Sequence, residues 1–232
     1  MLHPDAGYAI RLAYLYRCFS GGSGSPALST PGAGPSPIYG SSSSVTMSSF
    51  RTLSGYQIDS KHGVYFVTFS VVDWLPVFIS QEPNLIITES LNFCHHQKHL
   101  RVNDFVIMPT HLHAILFDNE QDSERLKRTL AGLRKFTGKN LLDYCSQHMP
   151  ECFTQTFQKA GNASKDRQHR FWQGEVHPEA IYTDKFWKQK MDYIHENPIR
   201  KGLVREAHHW RFSSFGFWQY GECSDVILSE IG

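Results

Sequence analysis

The sequence predicts an α+β fold: an antiparallel sheet of the split βαβ kind, with one further helix appended at its C-terminal end. Three observations carry that reading. A β-branched and aromatic run, Val64 to Val72, follows Gly63 and reads as a central strand. Two alternating runs, Arg101 to Met108 and His111 to Phe117, flank Pro109-Thr110 and make a hairpin. Segments with helical spacing separate and follow these strands, so the order is β-α-β-β-α-β-α.

Each element has its own signal. Asn84 to His96 starts after Pro83 and places Leu85, Ile86, Leu91 and Phe93 at helical intervals. Ser123 to Tyr144 does the same with Leu126, Leu130, Leu133, Phe136, Leu141 and Leu142, despite Gly132 and Gly138. Gln155 to His169 is polar and reads as a loop or frayed helix. Phe171 to Tyr182 has apolar residues around Pro178 and suits an edge strand, where proline is tolerated. Thr183 to His195 is a third helix, with Thr183 as N-cap, Asp184 in the first turn, and Asn197-Pro198 as its stop. The β-α-β-β-α-β part is the ferredoxin-like or RNA-recognition-motif-like arrangement, and the third helix is the addition.

Composition divides the 232 residues in two. From Ser20 to Ser49, 21 of 30 positions are Ser, Gly or Pro, and the first 49 residues carry only Asp5, Arg11 and Arg17 as charges. So little apolar surface cannot offset the entropy of ordering, so residues 1–49 read as a disordered low-complexity extension and residues 50–232 as the folded domain. Tyr8 to Phe19 is apolar with two arginines, which a targeting peptide could be. Arg11 and Arg17 interrupt the apolar core that a secretory signal requires, so the segment reads instead as an extension, with Met47 an alternative start.

Setting aside those three charges leaves 21 basic against 21 acidic residues from the 23 and 22 in the chain. A neutral domain excludes bulk electrostatic attraction to nucleic acid, so any such partner is held by a local patch. No apolar run reaches the roughly 18 to 20 residues that a membrane span needs. Cys18, Cys94, Cys145, Cys152 and Cys223 are odd in number and scattered, which reads as a reducing, cytoplasmic setting without a thiolate metal site.

Three groups of residues carry chemistry. His111-Leu112-His113 opens a strand, and residues two apart on a strand share a face, so both imidazoles point the same way. Two neutral imidazoles there begin a site for a divalent cation, although 13 histidines make a chance H-x-H unremarkable. Tyr193 and Asn197 lie four apart, on one helical face. A phenol is a poor nucleophile at neutral pH unless a metal-bound phosphate or a base assists it. Asn197 can offer a carbonyl oxygen to the same cation. Taken alone, the segment reads equally as a core-edge tyrosine with Asn197 ending the helix. The third group is charge: Arg125, Lys127, Arg128, Arg134, Lys135 and Lys139 stand without an acid among them, and Lys188, Lys190, Arg200 and Lys201 follow in the next basic zone. Solvated helix faces and phosphate-backbone contacts both account for such zones.

Together the groups resemble a known family. Met108-Pro-Thr-His-Leu-His113, followed some 80 residues later by Tyr193-Ile-His-Glu-Asn-Pro-Ile-Arg-Lys-Gly-Leu-Val204, is similar to the HUH single-tyrosine transposases of insertion sequences. The nearest branch is the REP-associated tyrosine transposases, which Phe171-Trp172-Gln173 and Trp210-Arg-Phe-Ser-Ser214 also resemble. The resemblance implies a ferredoxin-like enzyme that cuts and rejoins hairpin-forming single-stranded DNA through a 5′-phosphotyrosine. It implies Tyr193 as nucleophile and His111, His113 and Asn197 as ligands of Mg2+ or Mn2+. The basic residues of both zones would contact DNA. It further implies nucleoid association, no membrane, and a homodimer in which one copy's tyrosine helix can serve the other's histidines. Two other classes compete. An RNA-binding module would need exposed aromatics on the central strands. A domesticated regulator would bind hairpins without cutting them.

Overall fold

The computed structural model describes residues 58, 63–163, 169–174 and 178–231. The chain divides into two units, Met1–Phe50 and Arg51–Gly232, and the described residues belong to the second. The expected disordered extension and the targeting reading of residues 1–49 lie outside them.

Four strands, β1 (Val64–Ser70), β2 (Leu100–Met108), β3 (His111–Asp118) and β4 (Glu179–Ala180), form one sheet. Its order is β2-β3-β1-β4, antiparallel at every pairing. Because β1 and β2 both run antiparallel to β3, they are parallel to each other, and helix α1 (Gln81–Gln97) crosses between them. This is the split βαβ topology, so the fold class is the one the sequence predicts. The remaining helices are α2 (Ser123–His148), α3 (Glu151–Asn162), α4 (Asp184–Arg200) and α5 (Phe215–Tyr220).

Strand alternation sorts the core into two layers. Tyr65, Val67 and Phe69 of β1 and Leu112, Ala114 and Leu116 of β3 pack with Leu91 of α1 and with Leu126, Leu130 and Leu133 of α2. The opposite face buries Phe66, Val106, Met108 and Ile115 against Ile194 of α4. An RNA-recognition module leaves the aromatics of that face open to bases. Here α4 covers it, and Phe66 is only 4% exposed.

A register shift between Val102 and Asp104 breaks the alternation of β2. Val102 packs with the first layer while Val106 and Met108 pack with the second, so this bulge changes which side chains β2 turns toward α4. The outer edge of β2 is closed by the C-terminal segment. The Ile107 N–H donates to the Phe212 carbonyl (2.9 Å), that of Ser214 to Phe105 (3.0 Å), and that of Ser229 to Val102 (2.8 Å). An edge so covered is not left to pair with another chain.

The observed elements differ from expectation in four places. Residues 151–162 form a full helix, where the sequence from Gln155 onward predicts a loop or a frayed helix, because Phe153, Phe157, Ala160 and Gly161 make a narrow apolar stripe whose first residue lies before that window. Helix α1 begins before Pro83, which is accommodated in the first turn, where its missing N–H has no intrahelical role. Helix α4 continues through Pro198 to Arg200. Proline there costs one bond in the final turn, and the Lys201 and Leu203 N–H groups cap the carbonyls of Asn197 and Pro198 at 3.0 and 2.9 Å. The edge strand shrinks to Glu179–Ala180, while Trp172 bridges Val71 separately.

Candidate active site

Helix α4 lies on the sheet face to which β3 turns His111 and His113. Both histidines are buried, at 7% and 6% exposure, and their rings meet edge to face with centroids 4.6 Å apart. Each Nδ1 has a hydroxyl partner: Thr110 Oγ1 for His111 at 2.9 Å, and Thr68 Oγ1 for His113 at 2.8 Å. Thr68 stands directly across from His113 in the β1–β3 register, so strand pairing itself supplies this support. With Nδ1 as the protonated nitrogen of each ring, Nε2 keeps its lone pair, the arrangement in which metal-binding histidines are commonly held.

Both rings are poor proton acceptors. Burial, then the Lys201 cation, pushes His111 down to about 4. Burial, then His111 and Lys190, pushes His113 down to about 3. Each is therefore neutral at pH 7 and free to donate a lone pair to a cation.

Tyr193 Oη lies 3.4 Å from His113 Nε2. The phenol ring packs edge to face on His113 (centroids 5.1 Å apart) and on Phe66 (6.1 Å), while Phe66 stacks on His113 at 5.3 Å. Phe66 thus spaces helix from strand. One turn beyond Tyr193, Asn197 is buried, and its amide nitrogen has no hydrogen-bond partner. Turning the amide about its Cβ–Cγ bond puts the carbonyl oxygen where that nitrogen stands. Two neutral imidazoles and an amide oxygen fit a divalent cation that accepts nitrogen and oxygen together. One chain brings its own tyrosine to its own histidine pair.

The predicted cations separate. Lys190 is half-buried, pairs with Glu179 Oε2 at 2.7 Å, and sits 4.3 Å above the Phe66 ring. Arg200 lies over the Tyr193 ring at 5.8 Å and pairs with Glu196. Lys201 bears on His111, and Lys188 is exposed with Asp192 3.8 Å away. The α2 cations belong to the other side, because α2 packs on the sheet face opposite α4. Among them Arg125 is forked onto Asp118 and also reaches Glu120, and Arg134 donates to the carbonyls of Gln173 and Gly174. Lys127, Arg128, Lys135 and Lys139 are exposed, with Lys127 paired to Glu124.

Sequence reasoning missed the supports. Thr68 and Phe66 carry no motif, and only the strand register could reveal them, whereas Thr110 stands inside the histidine motif with no role assigned to it. Asp104 is a further case, and Ser214 closes the Trp210-Arg-Phe-Ser-Ser214 segment with no role assigned to it. Buried Asp104 Oδ1 lies 3.0 Å from His195 Nε2 and accepts from Ser214 Oγ at 3.1 Å, while that hydroxyl also accepts the Phe105 N–H and contacts His195 at 3.0 Å. The cluster ties α4, β2 and the C-terminal segment together, two residues from the tyrosine. A separate trio, exposed Glu206 and His209 with half-buried His208, has ligand atoms within 4.8 Å of one another on the C-terminal segment.

Fold and side chains together bring one tyrosine, a histidine pair and an amide to one face of the sheet. No protein-family model matches the chain. Among curated proteins it is 28% identical over 164 residues to a Haemophilus influenzae protein provisionally named a REP-associated tyrosine transposase, covering 70% of this chain and 86% of that one. It is 26% identical over 114 residues to the REP-associated tyrosine transposase of Escherichia coli, covering 49% of this chain and 53% of that one. A solved structure of a REP-associated tyrosine transposase bound to a REP hairpin covers 80% of this chain and 94% of its own, at 20% identity and a TM-score of 0.45. The chain is therefore similar to REP-associated tyrosine transposases, as its motifs indicate, and the names of its curated relatives support a transposase enzyme. Among the described residues no helix is long and apolar enough to cross a membrane.

Proposed function

We propose that the chain is a metal-dependent transesterase that cleaves and rejoins single-stranded, hairpin-forming DNA through a 5′-phosphotyrosine. The observation that carries this reading is the 3.4 Å approach of Tyr193 Oη to His113 Nε2. It sets the only phenol of α4 beside a histidine pair whose lone pairs are available at neutral pH. Tyr193 Oη would attack phosphorus in line, the 3′-oxygen would leave with a proton, and the strand would end as a 5′-phosphotyrosine and a free 3′-OH. Attack by a 3′-OH on the phosphotyrosine reverses the step and frees the phenol, so rejoining needs no outside energy. His111, His113 and Asn197 would hold Mg2+ or Mn2+, which when bound supplies Lewis acidity toward the scissile phosphate and a template for its orientation. Phe66 and the Asp104–His195–Ser214 cluster would set the distance from which the phenol attacks, where small displacements are costly.

The cations have two roles in this reading. Lys190, Arg200 and Lys201 would serve the strand at the site, and Lys188 would flank it. Arg128, Lys135 and Lys139, with Lys127, Arg125 and Arg134 alongside, would hold the backbone of the hairpin stem from the α2 side, positioning it without reading its bases.

The test is incubation with a single-stranded hairpin oligonucleotide and Mn2+. A denaturation-resistant protein–DNA adduct is expected from the wild type and none from Tyr193→Phe. An adduct that survives in Tyr193→Phe overturns the assignment of the nucleophile. Binding without any adduct favours a non-cleaving regulator.

A further inference from the structure

Between β1 and α1 the chain makes a single 3-10 turn, Val72–Trp74, and holds it in an unusual conformation. Asp73 and Trp74 both have positive φ, 51° and 54°. Left-handed backbone at a non-glycine residue is uncommon, and at a bulky aromatic it persists only where the surroundings impose it. The surroundings here are explicit. The Val71 N–H donates to the Thr110 carbonyl at 2.9 Å, that of Val72 to Phe171 at 2.9 Å, and that of Phe78 to Pro109 at 3.0 Å. Val71, Val72, Val77 and Phe78 are buried on either side. The turn is thus clamped to the residues that immediately precede His111.

The side chain so placed contributes little to the core. Trp74 is 53% exposed. The other four tryptophans set their indole N–H on protein acceptors: Trp172 on Thr137, Trp187 and Trp218 on Asn103, and Trp210 on Ile107. Trp74 instead turns its ring to solvent and stands edge to face with His111, with centroids 5.6 Å apart. A rigid aromatic plane beside a histidine of the site, free on its outer side, is what an unpaired base requires for stacking.

We propose that Trp74 is the stacking platform for an unpaired nucleobase of a single-stranded DNA substrate, beside the phosphate bound at His111 and His113. This rests on the function proposed above and adds a base subsite to it. The strained turn fixes the plane before DNA arrives, so the ordering cost of a flexible side chain is already met. Stacking tolerates any base, so the subsite selects unpaired over paired nucleotides more than it reads sequence.

The experiment measures affinity for a fluorescein-labelled hairpin oligonucleotide with single-stranded flanks, in Mn2+, using full-length protein in a Tyr193→Phe background. An abasic site is moved through the unpaired positions. Trp74→Ala should lower affinity for the intact oligonucleotide about 5- to 100-fold, and Trp74→Phe should recover most of the loss. At one or two flanking positions the abasic site should weaken the Trp74-containing protein similarly and cost the Trp74→Ala protein nothing more. Abasic penalties that persist in full in Trp74→Ala overturn the proposal, as does unchanged affinity. A loss that tracks weaker Mn2+ binding, equal for intact and abasic DNA, also overturns it, since Trp74 then only supports His111. Adduct formation by the wild type is scored separately, so failure of the cleavage reading leaves this coupling measurable.

Discussion

His113 shows how one side chain is made fit for its task by its neighbours. Its ring is held by Thr68 on one nitrogen, packed by Phe66 on one face, and approached by Tyr193 at the other nitrogen. Removing the hydroxyl in Thr68→Val should free the ring to rotate and lower Mn2+ affinity about 10- to 100-fold, the usual cost of losing such a support, as read by calorimetric titration. Burial has a second consequence. Both site histidines titrate below their ordinary value of 6.5, at about 4 for His111 and about 3 for His113. Between those values and 6.5 the unfolded chain takes up protons that the native chain refuses, so metal-free stability rises with pH across that window and falls as pH drops through it. The melting temperature in chelator should therefore be lower at pH 5 than at pH 7.5. His111→Gln with His113→Gln should flatten that difference; an equal drop in the double variant would assign the effect to other groups. The pair itself was legible, since two histidines two apart on a strand must share a face. Its supports were not, because Thr68 lies 45 residues away and meets His113 only through pairing of β1 with β3.

At the scale of elements, the placement of α4 matters most. The hairpin, the N-cap at Thr183 and the shared face of Tyr193 and Asn197 were all readable from local patterns. Thr183 Oγ1 does accept the Phe186 N–H at 3.1 Å. The helix end was misread, because a proline reads as a stop in sequence but one in the last turn needs only capped carbonyls. What fixes α4 against β2 is the buried Asp104–His195–Ser214 cluster, assembled from residues up to 110 apart. Ser214→Ala would strip the Phe105 N–H and Asp104 of a buried partner and should cost about 1–3 kcal/mol in urea unfolding. If the cluster also sets the attack distance, adduct formation should fall in Ser214→Ala while Mn2+ affinity holds. Equal activity per folded molecule would confine the cluster to stability.

At the scale of the whole molecule, the two basic zones that sequence order groups around one site belong to opposite faces of the sheet. Replacing Arg128, Lys135 and Lys139 by Gln should weaken hairpin binding and lower the salt dependence by about 0.9 for each duplex phosphate no longer neutralised, with Mn2+ affinity unchanged. Lys201→Gln should instead raise the proton affinity of His111, whose depression the lysine shares in causing. An unchanged salt slope in the triple variant would remove α2 from the surface that holds DNA.

The sequence by itself determined the split βαβ class, the shared strand face of His111 and His113 and the shared helix face of Tyr193 and Asn197, because those depend on periodicity, capping and spacing within a few residues. Only the resemblance to a family gave those residues roles. Tertiary structure alone decided that this chain's tyrosine meets its own histidine pair, that α2 and α4 stand on opposite faces, that α4 closes the sheet face an RNA-binding module would leave open, and that Trp74 is held out beside His111. Those outcomes depend on sheet order, on strand register and on a bulge that changes which side chains β2 turns toward α4. Such long-range pairings leave no periodic trace in the chain that makes them.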